Sequence, residues 1–346
     1  SFNDGKSINT PYDIYSYSSA TDEYTNHKDA TGAISVNSWS DKSNTITLNA
    51  RIGYTRTFNE AHRIDAFASY EQSKYNYSSL SGYRTNYLSS ALPDLDFGSK
   101  VDADKDNGGN STETARQNWF GRINYGYKDK YLAEFTIRYD GSMNFAQGHR
   151  WGVFPSVSAA WRLSEESFME NTTDWLSNLK LRASYGTTGN DLDVNDEEIA
   201  AFSYLQKYNK GGNYVFGNNL ANTITPGATP NLTLTWATSK TVNGGLDFGF
   251  FNNRLSGTVD AFYRKETDIL GARTVTIPNT YGQTLAPENY AERSWRGGEI
   301  ALTWMDKAAN GEIDYSAYVN LGFARDKWDV LDVSATYQEG GALHAL

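Results

Sequence analysis

Within residues 45–57 apolar and polar side chains alternate from Thr45 to Thr55. Ile46, Leu48, Ala50, Ile52 and Tyr54 fall on one parity, and Thr45, Thr47, Asn49, Arg51 and Thr55 on the other. A period of two sends each set to its own face of an extended strand, whereas a helix scatters them. The pattern recurs along the chain. Tyr131, Ala133, Phe135, Ile137 and Tyr139 oppose Leu132, Glu134, Thr136, Arg138 and Asp140; Leu179, Leu181, Ala183 and Tyr185 oppose Lys180, Arg182 and Ser184. Leu255, Gly257, Val259, Ala261 and Tyr263 oppose Ser256, Thr258, Asp260 and Arg264, and the scheme returns in Tyr315, Ala317, Val319, Leu321 and Phe323. The chain is therefore expected to be all-β. A composition of 24 Tyr, 9 Trp and 30 Gly against 7 Pro supports strands and turns over helices.

A soluble two-sheet sandwich also alternates, so facing alone leaves two architectures open. Each segment is roughly ten residues long, enough for a tilted strand to cross a bilayer. The connections alternate in length: short at Asn59 to His62, Lys128 to Lys130, Asn252 to Asn253 and Asp306 to Gly311, long at 77–113, 189–234 and 266–292. Outer-membrane barrels keep short turns on the periplasmic side and long loops outside. Aromatics crowd the short-turn ends, as in Tyr125, Tyr127 and Tyr131, and Phe248, Phe250 and Phe251, where rings suit the headgroup level. In 151–163, Val153, Pro155, Val157, Ala159, Trp161 and Leu163 are expected to face lipid, with Ser156, Ser158 and Arg162 inside. Pro155 has no N–H to give a ladder, so it is expected near the strand start or at a bulge.

Charge and missing residue types remove several functions. A net charge of -10 argues against a nucleic-acid partner. With no cysteine there is no disulfide framework or thiolate site. No run approaches the ~20 apolar residues of a spanning helix. The opening SFNDGKSINT lacks a basic and apolar leader, so an export signal is expected to have been removed or to lie outside these residues. The histidines His27, His62, His149 and His344 are scattered, and no dinucleotide, P-loop, nucleophile-elbow or zincin signature occurs, so the chain is not expected to be an enzyme. Glu134 and Arg138 are expected to take part in an inward salt-bridge ladder.

Residues 118–191 carry an ordered set of landmarks. They include Phe120-Gly121-Arg122, Asn124-Tyr125, Asp140-Gly141-Ser142, Trp151-Gly152, Phe154-Pro155-Ser156, Ala160-Trp161, Leu179-Lys180-Leu181-Arg182, Ser184-Tyr185-Gly186 and Thr188-Gly189-Asn190. Further on come Pro230-Asn231-Leu232 with Trp236, Gly245-Leu246-Asp247-Phe248-Gly249, and Gly298-Glu299-Ile300. This succession resembles the SusC/RagA-like TonB-dependent transporters of bacterial outer membranes, over about residues 44 to 330. Met143, Asn144, Ala237 and Arg296 depart from the usual pattern, which bears on ligand and subfamily rather than fold.

The resemblance implies an antiparallel transmembrane β-barrel with residues 1–346 forming part of its single barrel domain. Ten or eleven strands, roughly half the ~22 of plugged outer-membrane transporters, are expected here, with plug, TonB-contacting segment and closing strand expected outside these residues. It implies import of oligosaccharides or peptides across the outer membrane of a Gram-negative-type bacterium, under a SusD-like lipoprotein lid, with force from TonB. The alternatives are a soluble β-rich carbohydrate-binding or glycan-degrading protein, and a structural outer-membrane barrel without TonB coupling. Phe202, Tyr204, Tyr208, Tyr214 and Phe216, set among Gly, Asn and Lys, are candidate ligand or partner contacts, since aromatic faces pack on sugar rings and peptides. No cofactor is expected, unless calcium: Asp102, Asp104, Asp106 and Glu113 have the first, third, fifth and twelfth spacing of a calcium loop, although Asn107 replaces its turn glycine. Asp191, Asp193, Asn195 and Asp196 form a second, less regular acidic group.

Overall fold

The computed structural model describes residues 1–12, 14–28, 32–217, 219–273, 280, 282–308 and 312–332. The strands among them are β1 (Phe2–Asn9), β2 (Ile14–Ser18), β3 (Glu23–Lys28), β4 (Ser35–Phe58), β5 (His62–Arg84), β6 (Lys105–Tyr127), β7 (Tyr131–Ser142) and β8 (Trp151–Arg162). They continue with β9 (Leu176–Asn190), β10 (Tyr208–Phe216), β11 (Asn219–Pro226), β12 (Ala237–Phe250), β13 (Leu255–Gly271), β14 (Glu288–Ala308) and β15 (Ile313–Val330). Eleven hydrogen-bond in the order β1-β4-β5-β6-β7-β8-β9-β12-β13-β14-β15, a meander interrupted by the two hairpins β2-β3 and β10-β11. This is the all-β antiparallel architecture expected; the eleven strands of the sheet match the ten or eleven expected, and the two hairpins add four more among the described residues.

Packing divides the chain into two units, and β4, β5 and β6 each contribute residues to both. The first comprises 1–47 and 73–115. In it β1 pairs with the start of β4, from Phe2 opposite Lys42 to Asn9 opposite Ser35, and Lys6 reaches Asp94 at 2.8 Å.

The second unit, 48–72 and 116–346, holds the diagnostic register. Reading directly across the strands, Tyr131, Trp161, Leu181, Leu246, Val259, Ile300 and Leu321 are successive partners. Apart from Leu246, these residues are 37% to 64% exposed. The opposite parity carries Glu134, Ser158, Ser184 and Asn243 in one line. The apolar face thus meets no second sheet or helix layer among the described residues. Water is a poor neighbour for a continuous aliphatic and aromatic face of this extent; hydrocarbon chains are the solvent it fits.

The short turns follow from local chemistry. Asn59 and Glu60, Lys128 and Asp129, and Asn252 and Asn253 all have positive φ, between 48° and 60°. Each pair is closed by a backbone bond: Ala61 to Phe58, Lys130 to Tyr127, and Arg254 to Phe251. Two left-handed central residues make a turn whose twist matches paired strands, and Asn and Asp accept that conformation at least cost.

Two expectations need correction. Residues 77–84 and 105–113 are strand, not loop, and β13 and β14 likewise run to Gly271 and from Glu288. Residues 105–113 are polar on both faces, so composition suggests a loop, and in the other stretches the few apolar residues do not alternate. Backbone pairing does not require an apolar face once the strand has left the bilayer. Pro155 sits neither at the start of β8 nor at a bulge. It pairs with Ile137 of β7, while the ladder to β9 begins only at Ser156 opposite Gly186. Its missing N–H falls just past the end of one ladder, and its carbonyl accepts from Thr187 at 2.9 Å. β8 itself ends at Arg162, leaving Leu163 in a 3-10 turn.

The strand region has almost no interior of its own. In the second unit the apolar core lies at the long-loop end, where Phe145, Phe154, Ile199, Leu234, Trp236, Ile269, Leu270 and Ala291 pack together. Phe145, Leu234 and Leu270 are fully buried. This core fixes the bases of the loops leaving β7, β9 and β13.

Candidate functional site

The polar face of the second unit is organised by ion pairs between neighbouring strands. Arg182 on β9 donates through Nε to Asp247 on β12 at 2.8 Å, and through Nη1 and Nη2 to Asp260 on β13 at 3.1 and 2.9 Å. Lys180 adds a second cation to Asp247 at 3.3 Å. A planar guanidinium fork meets two carboxylates with directional bonds, one of them bidentate, where a lysine offers only a point charge. The expected ladder is present with different partners: Glu134 pairs with Arg122 at 3.6 Å, and Arg138 holds Asp140 through two bonds of 3.0 Å. A recess of about 620 Å³ opens on this face, lined among others by Asp65, Glu134, Lys180, Arg182 and Asn243. Replacing Arg182 by Met strands Asp260 and leaves Asp247 with Lys180 alone. Breaking a fully buried pair costs about 3–5 kcal/mol, but these groups are only partly covered, so about 1–3 kcal/mol is expected in urea titrations in bilayers. Asp247→Asn combined with Asp260→Asn should recover most of it.

A second polar group sits beneath the long loops. Asp191 is 6% exposed and accepts from Arg116 at 2.6 Å and from Ser142 and Asn144 at 3.4 Å each. Nearby, Glu266 takes Asn190 and Arg264, both at 3.0 Å, and Arg264 Nε also donates to Ser239 at 2.6 Å. Burying a carboxylate is tolerable only with such partners. At the short-turn end Glu166 receives the Tyr131 hydroxyl at 2.6 Å and the Trp161 indole at 3.1 Å. Those donors, the tyrosine foremost, hold its carboxyl below the usual range.

The proposed calcium ligands are not brought together. Asp102 and Asp104 lie in a 3-10 turn, while Asp106 and Glu113 lie on β6, seven residues apart. At ~3.3 Å per residue a strand separates those two by roughly 23 Å. Asp102 pairs with Lys105 at 2.9 Å and Glu113 with Lys74 at 3.0 Å. Ser99 and then Asn86 hold the Asp104 carboxyl low. Asp191 is engaged as described, and Asp193 closes a turn by accepting the N–H groups of Asn195 and Glu197 at 2.8 and 3.0 Å. No set of three metal-ligating side chains is arranged around a common point among the described residues.

The five candidate loop aromatics fall into two places. Phe202 and Tyr204 are half-buried, 6.1 Å apart edge to face, with the Tyr204 hydroxyl 3.5 Å from Arg150 Nη2. Tyr208, Tyr214 and Phe216 stand on the β10-β11 hairpin and are 63% to 77% exposed. Tyr208 pairs with Pro226 and Tyr214 with Ala221, and a bulge between Lys210 and Asn213 interrupts the register. One extra residue reverses the facing, so Tyr208 projects from the side opposite Tyr214 and Phe216. Sequence reading missed the Arg182 hub and placed Asp191 in an acidic group without its partners, because partners 65 or 75 residues away leave no local spacing to read.

The family model for the β-barrel of TonB-dependent receptor-like proteins matches residues 1–343. The chain belongs to this β-barrel family. It is 36% identical over 188 residues to the TonB-dependent receptor SusC of Bacteroides thetaiotaomicron, covering 52% of the chain and 18% of that relative. It is 31% identical over 253 residues to the TonB-dependent receptor P39 of Formosa agariphila, covering 72% of the chain and 23% of that relative. Among solved structures, the RagAB peptide importer in its closed-closed state superposes with a TM-score of 0.79 at 24% identity, over 94% of the chain and 33% of its counterpart. The chain therefore spans a third of that structure and 18% to 23% of those curated relatives. TonB-dependent receptor barrels are outer-membrane proteins, and this family membership agrees with the lipid-facing stripe read from register.

Proposed function

We propose that the chain supplies barrel wall and extracellular loops of a SusC-like outer-membrane importer of oligosaccharides or peptides, driven through TonB and served by a SusD-like lipoprotein lid. The carrying observation is the uncovered apolar line from Tyr131 to Leu321, backed on the other face by the charged ladder around Arg182. One face suits hydrocarbon and the other suits water and polar cargo, which is the division a transport wall needs. The kinship with SusC and the RagAB fold supports the choice of cargo class and lid. The exposed hairpin aromatics and half-buried Phe202 and Tyr204 supply flat surfaces on which a sugar ring, a peptide or the lid can pack.

Deleting the gene in its host and following uptake of labelled oligosaccharides and peptides tests this reading. Uptake of one class should collapse, return with the intact gene, and collapse again when TonB is removed. Uptake that survives loss of TonB overturns the coupling. Intact protein that stays monodisperse in buffer without detergent overturns the membrane wall itself.

A further inference from the structure

Above the apolar stripe of β12 to β15 the lipid-facing parity changes character. On β12 the stripe runs Phe250, Phe248, Leu246, Gly244, Val242 and then meets Lys240; on β13 it runs from Leu255 to Tyr263 and meets Lys265. On β14 it ends at Arg296 and on β15 at Arg325, followed by Lys327. These cations share the long-loop edge of one face. The register sets them against one another: Lys240 lies directly opposite Lys265, and Arg296 directly opposite Arg325. In the next line, Lys265 is opposite Ser294 and Ser294 opposite Lys327.

Like charges directly across a strand pair destabilise it. Among the described residues, relief comes from Glu292, 2.8 Å from Lys265, and Asp329, 3.7 Å from Lys327. Among the described residues Lys240, Arg296 and Arg325 have no carboxylate within ion-pair distance and are exposed, in a chain whose net charge is -10. Scattered cations at a bilayer edge can simply reach for water. Here they are gathered. The neighbouring stripes of β7, β8 and β9 close instead with Tyr139, Trp151 and Tyr185.

We propose that this basic patch binds the phosphate of a lipid headgroup in the outer leaflet. Strands ~4.8 Å apart, with alternate residues ~6.6 Å apart along each, place the flexible ends of these side chains around a space that one phosphate can fill. A phosphate accepts several charge-assisted bonds at once, and its charge removes the repulsion within both like pairs. The patch stands at the level where the acyl chains end, so the anion comes attached to a lipid rather than to the transported cargo. The site lies on the face opposite the Arg182 ladder and goes beyond the import reading.

The experiment uses the full-length protein in a phosphate-free maltoside detergent, with bound lipid read by native mass spectrometry. The probes are phosphorylated lipid A, the same lipid after dephosphorylation, and inorganic phosphate. Wild-type protein should retain the phosphorylated lipid at least about tenfold more strongly than the dephosphorylated one, and K240Q/R296Q/R325Q should lose that preference. Equal retention of the two lipids by wild type overturns the proposal, as does a folded triple variant with undiminished preference. Should the triple variant not fold, the wild-type comparison decides alone. Displacement of the lipid by millimolar inorganic phosphate overturns the lipid assignment in favour of a free-anion site. None of these readouts involves cargo, TonB or a lid, so failure of the import reading leaves a distinct signature.

Discussion

Val259→Arg is expected to cost about 2–4 kcal/mol of folding free energy in a bilayer, the largest penalty of any single charge inserted into this wall. Val259 is the middle of five same-facing residues on β13, with Leu255 and Gly257 on one side and Ala261 and Tyr263 on the other. Its direct partners are Leu246 and Ile300, so an arginine there finds no carboxylate and lies too deep to reach the headgroups easily. Thr258→Arg, one residue away, faces the polar side opposite Asp247 and should be accepted with little loss. Leu48→Arg and Thr47→Arg on β4 repeat the contrast, since Leu48 is 61% exposed and the Thr47 hydroxyl donates to Ser73 at 3.4 Å. Urea titration in lipid vesicles, with folded and unfolded forms separated by gel mobility, measures all four. Equal losses at both members of each pair would mean that protein or water, not hydrocarbon, covers the apolar face.

Alternation made the strands legible because their side chains obey a strictly local rule: parity decides facing, and facing decides solvent. The turns were legible for the same reason, since Asn59, Asp129 and Asn252 announce the left-handed backbone a tight hairpin requires. What sequence could not reveal depends on which strands become neighbours. Arg182 reads locally as one more polar residue on β9; only the order β9-β12-β13 makes it a partner of both Asp247 and Asp260. Likewise Asp102 to Glu113 has the spacing of a metal loop, but spacing presumes a coiled backbone. Pairing from Lys105 onward straightens that stretch and separates its carboxylates. Lys240, Lys265, Arg296 and Arg325 are unremarkable singly, and become a patch only through register. The candidate aromatics 202 to 216 show the converse, because the Lys210–Asn213 bulge divides a group that sequence reads as one.

Trp236→Ala should release the base of the long loops while leaving the strand ladder intact. Trp236 is 8% exposed, with its ring 5.3 Å from Phe145 and 5.7 Å from Phe154, and its indole N–H gives the Arg150 carbonyl a bond of 2.9 Å. The Phe154 ring in turn fills the space above Gly152 and Gly189, where an added Cβ would stand 2.3 and 2.1 Å from it, so neither position has room for a side chain. Truncating a buried tryptophan of this kind costs about 3–5 kcal/mol through the cavity and the carbonyl left unpaired. That loss falls on residues 143–150 and 191–236, whose apolar anchoring is this core, while the Asp191 group adds polar ties and the strands below are held by backbone bonds and by lipid. Hydrogen exchange on the full-length protein should therefore quicken sharply in those two segments and little in β12 to β14. Trp236→Phe keeps most of the packing and should show only the loss of one hydrogen bond, about 1 kcal/mol. Trp175→Ala, at the opposite end of the strands and stacked on Phe250 at 5.8 Å, should leave loop exchange unchanged. Uniform quickening across the whole ladder would show instead that loops and strands unfold as one unit. Quickening confined to the two loop segments would mean that the loop platform can loosen without opening the strand ladder.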